Sequence, residues 1–245
     1  MSTLVQLLGA AHRVLVFTGA GISTGSGIPD FRGPGGVWTK RQPVYFDEFR
    51  ASEVKRVEYW EYKLEGAQSF LGAQPNATHH AIVALERKGR LQAVVTQNID
   101  GLHQAAGSSE AKLVEVHGTN RQVECIGCGE RSLPRPALDY FAAHRATPTC
   151  ASCGNWLKFA TISFGQQLRP EVLARAFDEA ARCDLVLALG STLSVHPAAS
   201  IPLGPLQRGV PYVIINRGPT DHDQLATLRL EGDVGELLPP AVDVL

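Results

Sequence analysis

The sequence predicts an α/β fold, built as a doubly wound, Rossmann-like parallel sheet with a small insertion domain. Four short apolar runs carry this prediction, at residues 14–17, 93–95, 185–189 and 212–215. Because polar residues scarcely interrupt them, they indicate strands that are buried on both faces, as in a parallel sheet covered by helices. Helical patterns alternate with these runs, which is typical of doubly wound domains.

Two helices can be placed from their ends. Asn76 can cap a helix that passes through Ile82 and ends before Gly89. Pro170 is placed to start another. The apolar stripe of this second helix, at helical spacing, is formed by Val172, Leu173, Ala176, Phe177 and Ala180.

Two segments break the alternation of strands and helices. Residues 34–74 hold prolines and glycines followed by an aromatic, charged stretch, and residues 121–158 hold four of the five cysteines. We expect these segments to form the small domain, and residues 1–33, 75–120 and 159–245 to form the larger one.

The composition narrows the range of partners. The chain has 245 residues, 44% apolar and 19% charged, which suffices for a monomer to bury a core. Its 23 basic and 24 acidic residues give a net charge of -1, so we expect neither nucleic acid nor a membrane as partner. We also expect no membrane helix and no signal peptide, because no apolar run is long enough and the N-terminal residues lack a basic leader.

Two Cys-x-x-Cys pairs predict a metal site, Cys125 with Cys128 and Cys150 with Cys153. Each tight turn can aim two thiolates at one point, and two turns complete the tetrahedron that zinc accepts. A closed set of four thiolates favours a structural zinc ribbon over a catalytic site; the alternative is four unrelated thiols. Paired cysteines of this kind favour a reducing compartment, so we expect a cytoplasmic protein. We expect the fifth cysteine, Cys183, to be a core thiol.

A glycine-rich turn, residues 18–25, follows the first predicted strand. Such a turn lets the backbone approach a pyrophosphate. It departs from the dinucleotide fingerprint, because Thr24 stands where the third glycine belongs and no acidic residue ends a second strand about 20 residues on. This disfavours a hydride-transferring dehydrogenase. The next loop carries Asp30, Phe31 and Arg32 and can fold over a bound nucleotide, although such triplets are often plain surface turns.

Polar residues follow the other predicted strands, where α/β folds bind ligands. Residues 96–103 follow the second strand, residues 190–192 form a small turn after a later one, and Asn216 ends the last. His117 ends a short strand at 113–116, and a neutral imidazole there can accept a proton near pH 7. A lone histidine is more often structural, and we interpret these in that way: His12, His79, His80, His144, His196 and His222.

Taken together, the chain resembles the sirtuin family, in a bacterial-type form. The matching stretches are residues 19–23, 27–33, 96–103, 117–118 and 190–192 with both cysteine pairs, in the family's order. The resemblance covers nearly the whole chain. It implies an enzyme that uses NAD as co-substrate and one structural zinc to remove acyl groups, above all acetyl, from lysines of proteins or peptides. The products would be nicotinamide and O-acyl-ADP-ribose.

The resemblance also implies roles for single residues. Asn98 and Asp100 would orient the ribose and the nicotinamide amide, Phe31 would keep water from the reactive carbon, and His117 would take a proton from a ribose hydroxyl. The implied substrate contacts are Ile162, Phe164 and Gly165. The other implied NAD contacts are Gly19, Ala20, Gly21, Ile22, Ser23, Asp30, Arg32, Gln97, Ile99, Gly190, Ser191, Thr192, Asn216 and Val234.

Two departures from the family pattern bear on the acyl group. Ser163 and Gln166 stand where commoner members carry a bulky residue and a glutamate. Members that remove acidic acyl groups carry a Tyr-x-x-Arg pair, and the best local match is Trp60 with Lys63. A lysine meets a carboxylate as a point charge without the bidentate fork of arginine. We therefore expect acetyl or longer apolar acyl groups.

Three other functions fit parts of the pattern. A protein mono-ADP-ribosyltransferase would use the same NAD cleavage with another nucleophile. A zinc-ribbon module would bind nucleic acid or a protein partner, although the balanced charge argues against it. A protein that senses NAD would bind it without turnover.

Overall fold

The computed structural model describes residues 2–30 and 42–245, which form two β-sheets. The strands are β1 Val14–Thr18, β2 Leu91–Thr96, β3 Leu113–Glu115, β4 Gly118–Cys125, β5 Arg131–Ser132, β6 Leu157–Thr161, β7 Leu185–Leu189, β8 Tyr212–Asn216 and β9 Leu228–Glu231. The larger sheet has the order β3-β2-β1-β7-β8-β9 and all its strands are parallel. The smaller sheet is antiparallel, in the order β5-β4-β6. The predicted parallel sheet is thus confirmed.

Eight α-helices connect the strands of the described residues. They are α1 Ser2–Ala10, α2 Phe46–Ala51, α3 Glu53–Gly72, α4 Ala77–Arg87, α5 Leu102–Ala106, α6 Pro134–His144, α7 Pro170–Ala181 and α8 Val234–Asp243. Both predicted helix starts are confirmed: the Asn76 side chain accepts a bond from Thr78 N at 3.0 Å, and Pro170 opens α7. Over the described chain, no helix combines the length and the apolar character that crossing a membrane requires.

The larger sheet is buried on both faces, which explains its unbroken apolar runs. Val16 belongs to the layer beneath α1, α4 and α8, while its neighbour Phe17 belongs to the layer beneath α7. Both side chains are fully buried. The stripe of α7 is narrower than the sequence predicts, because Ala176 and Ala180 are buried but Phe177 is 37% exposed.

The two predicted insertions share a separate aromatic core. Trp60 of α3 is fully buried, lies 6.1 Å from Phe141 of α6 between ring centroids, and donates from Nε1 to Leu157 O at 3.1 Å. Strands β4 and β6 run across the boundaries predicted at residues 120 and 159, since β4 begins at Gly118 and β6 ends at Thr161. Gly118 pairs with Thr161, and the register shifts between this pair and the pairing of Val123 with Phe159.

The strand order of the larger sheet reverses between β1 and β7, and the loops after these strands pack directly on each other. Gly19 N donates to Leu189 O at 3.0 Å, and Gly21 N donates to Gly190 O at 2.8 Å. A Cβ atom on Gly21 would lie only 2.7 Å from the Cα atom of Gly190. The close approach of the two backbones therefore requires glycine at this position.

We predict that Gly21→Ala lowers the free energy of unfolding by about 1–3 kcal/mol, because the added methyl group must push the two loops apart. Urea denaturation measures this change. Gly9→Ala is the matched control: Gly9 lies in α1 with no atom within 4 Å of an added Cβ, so it should be neutral or slightly stabilising. Equal effects of the two substitutions would contradict the close packing.

Candidate active site

A cavity of about 1290 Å³ lies over the carboxyl edge of the larger sheet. Its walls come from the loops after β1, β2, β7 and β8 on one side, and from α3 and the segment after β6 on the other. In open α/β sheets, ligands bind in the crevice where the strand order reverses. This cavity contains that position, so we treat it as the candidate site.

Asn98 is held in one orientation at the floor of the cleft. Its Nδ2 donates to Gly19 O at 3.1 Å and to Ser23 Oγ at 3.2 Å, and its backbone N donates to Thr96 Oγ1 at 3.0 Å. Because a carbonyl oxygen can only accept, the amide nitrogen must face Gly19. Asn98 lines the cleft, and its carbonyl oxygen is therefore the side-chain atom left for a ligand hydroxyl or amide.

Asp100 lies behind this floor and braces it. Its Oδ2 accepts from Ser23 Oγ at 2.7 Å, and its Oδ1 accepts from Leu102 N at 2.9 Å. Burial raises the pKa of the Asp100 carboxyl, and the hydrogen bonds from Leu102 and Ser23 oppose that rise. Asp100 thus connects the glycine-rich loop to the loop after β2.

His117 stands on the short link between β3 and β4, in the wall of the cleft. Its Nδ1 lies 3.1 Å from Gln97 O. Since a carbonyl oxygen accepts, Nδ1 carries the proton in the neutral ring and Nε2 is the basic nitrogen. The backbone oxygen of His117 also accepts from Ile162 N at 2.8 Å, which places the imidazole beside the segment that follows β6.

The segment after β6 forms the opposite wall. Ile162, Phe164 and Gly165 all line the cleft, and Phe164 is 37% exposed. Gln166 shapes the turn, because its Oε1 accepts from Ser163 N at 3.1 Å while its backbone N donates to Ser163 O at 3.0 Å. The result is an open segment next to the imidazole.

The four paired cysteines lie together at the end of the smaller sheet. Their sulfur atoms are all within 4.8 Å of one another, with Cys125 and Cys153 at 3.4 Å and Cys128 and Cys150 at 3.8 Å. Four thiolates around one zinc would be about 3.8 Å apart, given Zn–S distances of about 2.3 Å in a tetrahedron. Backbone N–H groups of Gly127 and Cys128 also point at Cys125 Sγ. The residues fit a closed, structural zinc site.

The chain shows clear similarity to known proteins. The model of the Sir2 family matches residues 19–197. The chain belongs to the Sir2 family. It is 43% identical over 237 residues to the NAD-dependent protein deacetylase of Rhodopseudomonas palustris, covering 97% of this chain and 94% of that protein. It is 42% identical over 240 residues to NAD-dependent protein deacetylase 1 of Bradyrhizobium diazoefficiens, covering 97% and 93%.

A solved Sir2 structure has the same fold over the full length. The structure described as Sir2-p53 peptide-NAD+ matches with a TM-score of 0.90 and 35% identity, over 100% of this chain and 98% of that one.

Most residues that the sequence singled out meet in the cleft of this Sir2-family protein. Those that line it are Gly19, Ala20, Gly21, Asp30, Gln97, Asn98, Ile99, His117, Ile162, Phe164, Gly165, Gly190, Ser191, Thr192, Asn216 and Val234. Ile22 instead packs into the core of the larger sheet, and Ser23 is buried beside Asp100. Phe31 and Arg32 lie outside the described residues.

Sequence reasoning missed part of the cleft. His196, which we interpreted as structural, lines the cleft with Val195 and Pro197, directly after the predicted loop at 190–192. Tyr59 and Tyr62 line it from α3 together with Lys63, whereas Trp60 is a core residue. The spacing of Tyr59, Tyr62 and Lys63 along the sequence places them on one face of α3, but only the packing shows that this face meets the cleft.

We predict that Cys128→Ser abolishes stoichiometric zinc binding and lowers the melting temperature by roughly 10 °C, because a structural zinc contributes several kcal/mol to folding. Metal analysis and calorimetry measure the two effects. Cys183→Ala is the control, since Cys183 is buried against the larger sheet and away from the cluster, and it should keep its zinc. A Cys128→Ser protein with full zinc content would contradict the assignment.

Proposed function

We propose that this Sir2-family protein uses NAD to remove acetyl groups from lysine side chains of other proteins, with nicotinamide and O-acyl-ADP-ribose as products. The arrangement of one cleft carries the proposal: the oriented Asn98 carbonyl, the basic Nε2 of His117 and the open segment after β6 share a single cavity. Two relatives more than 40% identical bear the name NAD-dependent protein deacetylase, which supports it.

The glycine-rich loop and the turn after β7 are suited to the phosphates. Their backbones approach each other at Gly21 and Gly190, where no side chain keeps a pyrophosphate away. Ser191 Oγ accepts from Gln97 Nε2 at 2.8 Å, which ties this turn to the loop after β2. Asn216 and Val234 line the far end of the cleft, where we place the adenosine.

Asn98 and His117 are suited to binding the nicotinamide ribose of NAD, where the reaction takes place. NAD supplies an electrophilic ribose carbon when its bond to nicotinamide breaks, and the acyl oxygen of the lysine is the nucleophile. Asn98 Oδ1 accepts a hydrogen bond from NAD and orients it, with Ile99 beside it and Asp100 bracing the loop from behind. His117 Nε2 accepts the proton of a ribose hydroxyl, because Nδ1 is committed to Gln97 O. Phe31 and Arg32 remain predictions.

We predict that His117→Ala lowers NAD-dependent deacetylation by about 10²–10⁴-fold, the usual contribution of a positioned general base. Nicotinamide release and loss of the acetyl group from a peptide are measured together, and zinc content should not change. A loss of activity with unchanged zinc content should therefore reflect the missing base and not a folding defect.

His144→Ala is the matched control. His144 Nδ1 also bonds a backbone carbonyl, Tyr140 O at 2.9 Å, but His144 is exposed at the end of α6 and does not line the cleft. Its activity should stay within about twofold of the wild type. Unchanged deacetylation by His117→Ala would contradict the assigned base, and labelled NAD that ends on protein would indicate ADP-ribosyl transfer instead.

The environment of Lys63 supports acetyl over acidic acyl groups. Lys63 lines the cleft, but its Nζ donates to Asn120 Oδ1 at 3.0 Å. Burial and, second to it, the charge of Lys158 together lower the pKa of Lys63 to about 7. Among the described residues, no carboxylate forms an ion pair with Lys63. Near neutral pH the amine is only partly charged and is a weak partner for a carboxylate.

We predict that a butyryl-lysine peptide is a better substrate than a succinyl-lysine peptide, whose acyl chain has a similar length but ends in a carboxylate. A lysine with a lowered pKa loses its charge as the pH rises through that pKa. The preference should therefore grow by up to about tenfold in kcat/KM between pH 6 and pH 8. A succinyl peptide favoured at pH 8 would contradict this.

We also infer the organisation of the chain. Residues 1–33, 75–120 and 159–245 are proposed as the NAD-binding unit, and residues 34–74 and 121–158 as the smaller unit. The shared core of Trp60 and Phe141, which joins the two insertions, supports this division. Zinc-binding thiols are kept in a reducing environment, and on that ground we propose a cytoplasmic location.

A further inference from the structure

Two buried histidines lie beneath the loops of the cleft and have no part in the chemistry proposed above. His79 of α4 and His103 of α5 are 0% and 1% exposed, and their rings meet edge to face with centroids 5.2 Å apart. Burial lowers the pKa of His79 to about 4 and that of His103 to about 3, so both rings are neutral at pH 7.

His103 begins a chain of hydrogen bonds that ends at Asn98. Its Nε2 lies 3.0 Å from Thr18 Oγ1, and the Thr18 hydroxyl donates to Thr96 Oγ1 at 2.8 Å. Thr96 Oγ1 also accepts from Asn98 N at 3.0 Å. Because the Thr18 proton is used toward Thr96, His103 Nε2 must be the donor to Thr18.

The remaining ring nitrogens of the two histidines are both left as acceptors. His79 Nδ1 lies 3.1 Å from Asn76 Oδ1, which can only accept, so Nδ1 carries the proton of the neutral His79 ring. His103 carries its proton on Nε2 toward Thr18, which leaves its Nδ1 as an acceptor. Both atoms, His79 Nε2 and His103 Nδ1, are buried without a hydrogen-bond partner. The two rings therefore meet by packing and not through a hydrogen bond.

Asn76, beside His79, ties the start of α4 to the glycine-rich loop. Asn76 Nδ2 donates to Ile22 O at 2.8 Å and to Ser26 Oγ at 2.9 Å, while its Oδ1 caps α4. The buried groups therefore lie between two loops that hold Asn98. One is the glycine-rich loop, whose Gly19 O accepts a hydrogen bond from the Asn98 side chain, and the other is the loop after β2, which contains Asn98.

We propose that Thr96, Thr18 and His103 form a hydrogen-bonded relay and are positioning residues for Asn98. This inference rests on the proposed function. The relay fixes the backbone of Asn98, so that its Nδ2 stays on Gly19 O and its Oδ1 faces NAD. Loss of the Thr96 hydroxyl leaves Asn98 N–H unpaired at a buried site and lets the loop after β2 shift.

The test compares Thr96→Val with Thr96→Ser. Valine has nearly the shape of threonine but no acceptor, whereas serine keeps the hydroxyl. We expect Thr96→Val to lower kcat for nicotinamide release about tenfold, and Thr96→Ser to stay within about threefold of the wild type. The KM for NAD and the affinity and stoichiometry of ADP-ribose binding, measured by calorimetry, should change less than twofold in both.

A second pair tests the imidazole. His103→Gln can still present a side-chain N–H near the position of Nε2, whereas His103→Leu cannot. We expect His103→Leu to lower kcat, and we expect the loss in His103→Gln to be less than half of the loss in His103→Leu. Thr147→Val is the matched control for loss of a buried hydroxyl, because Thr147 Oγ1 has no hydrogen-bond partner and lies outside the cleft.

Each result has a definite meaning. Equal kcat for Thr96→Val and the wild type, or equal losses in the serine and valine variants, would overturn the relay. A fall in ADP-ribose stoichiometry that matches the fall in kcat would show a folding defect and would overturn it too. A wild-type protein that binds ADP-ribose but releases no nicotinamide with acetylated peptide would overturn the proposed function first, and this inference with it.

Discussion

The close approach of two backbones at the point where the strand order reverses governs the rest of the structure. Parallel pairing aligns Thr18 at the end of β1 with Thr96 of β2 and Leu189 of β7, so that three loops leave the sheet at one edge. Glycines at positions 21 and 190 let two of these loops touch through their backbones. The space kept open in this way is the cleft, and every proposed role of a side chain refers to it.

The cleft is built with its polar groups already oriented. Asn98 is fixed through both its backbone and its side chain, and His117 is fixed through Nδ1, by groups of the protein itself. Such preorganisation lowers the cost of arranging dipoles around a charged, short-lived ribose carbon. The buried His103 belongs to the same arrangement, because it has almost no exposure and its hydrogen bond to Thr18 leads through Thr96 to Asn98.

The other wall of the cleft comes from α3 and the segment after β6, and the smaller unit that carries them depends on interactions of another kind. Its core is a compact group of aromatic rings around Trp60, and four cysteines lie together at the end of the smaller sheet. Strand β6 of this sheet leads directly into the segment that we assign to the substrate, where Ile162 N donates to His117 O at 2.8 Å. A structural metal far from the chemistry can therefore matter for catalysis.

Five of the six parallel strands, the helix starts at Asn76 and Pro170, the cysteine cluster and part of the cleft could be predicted from the sequence, because these depend on local pattern and spacing. Strand β9 was not predicted, and packing between distant segments was needed to show that Ile22 turns into the core, that Trp60 packs away from the cleft while Lys63 faces it, and that His196 joins the site. These outcomes depend on which face of a helix or loop meets distant segments. Periodicity along the chain gives the spacing of such faces but not the partner that each one contacts.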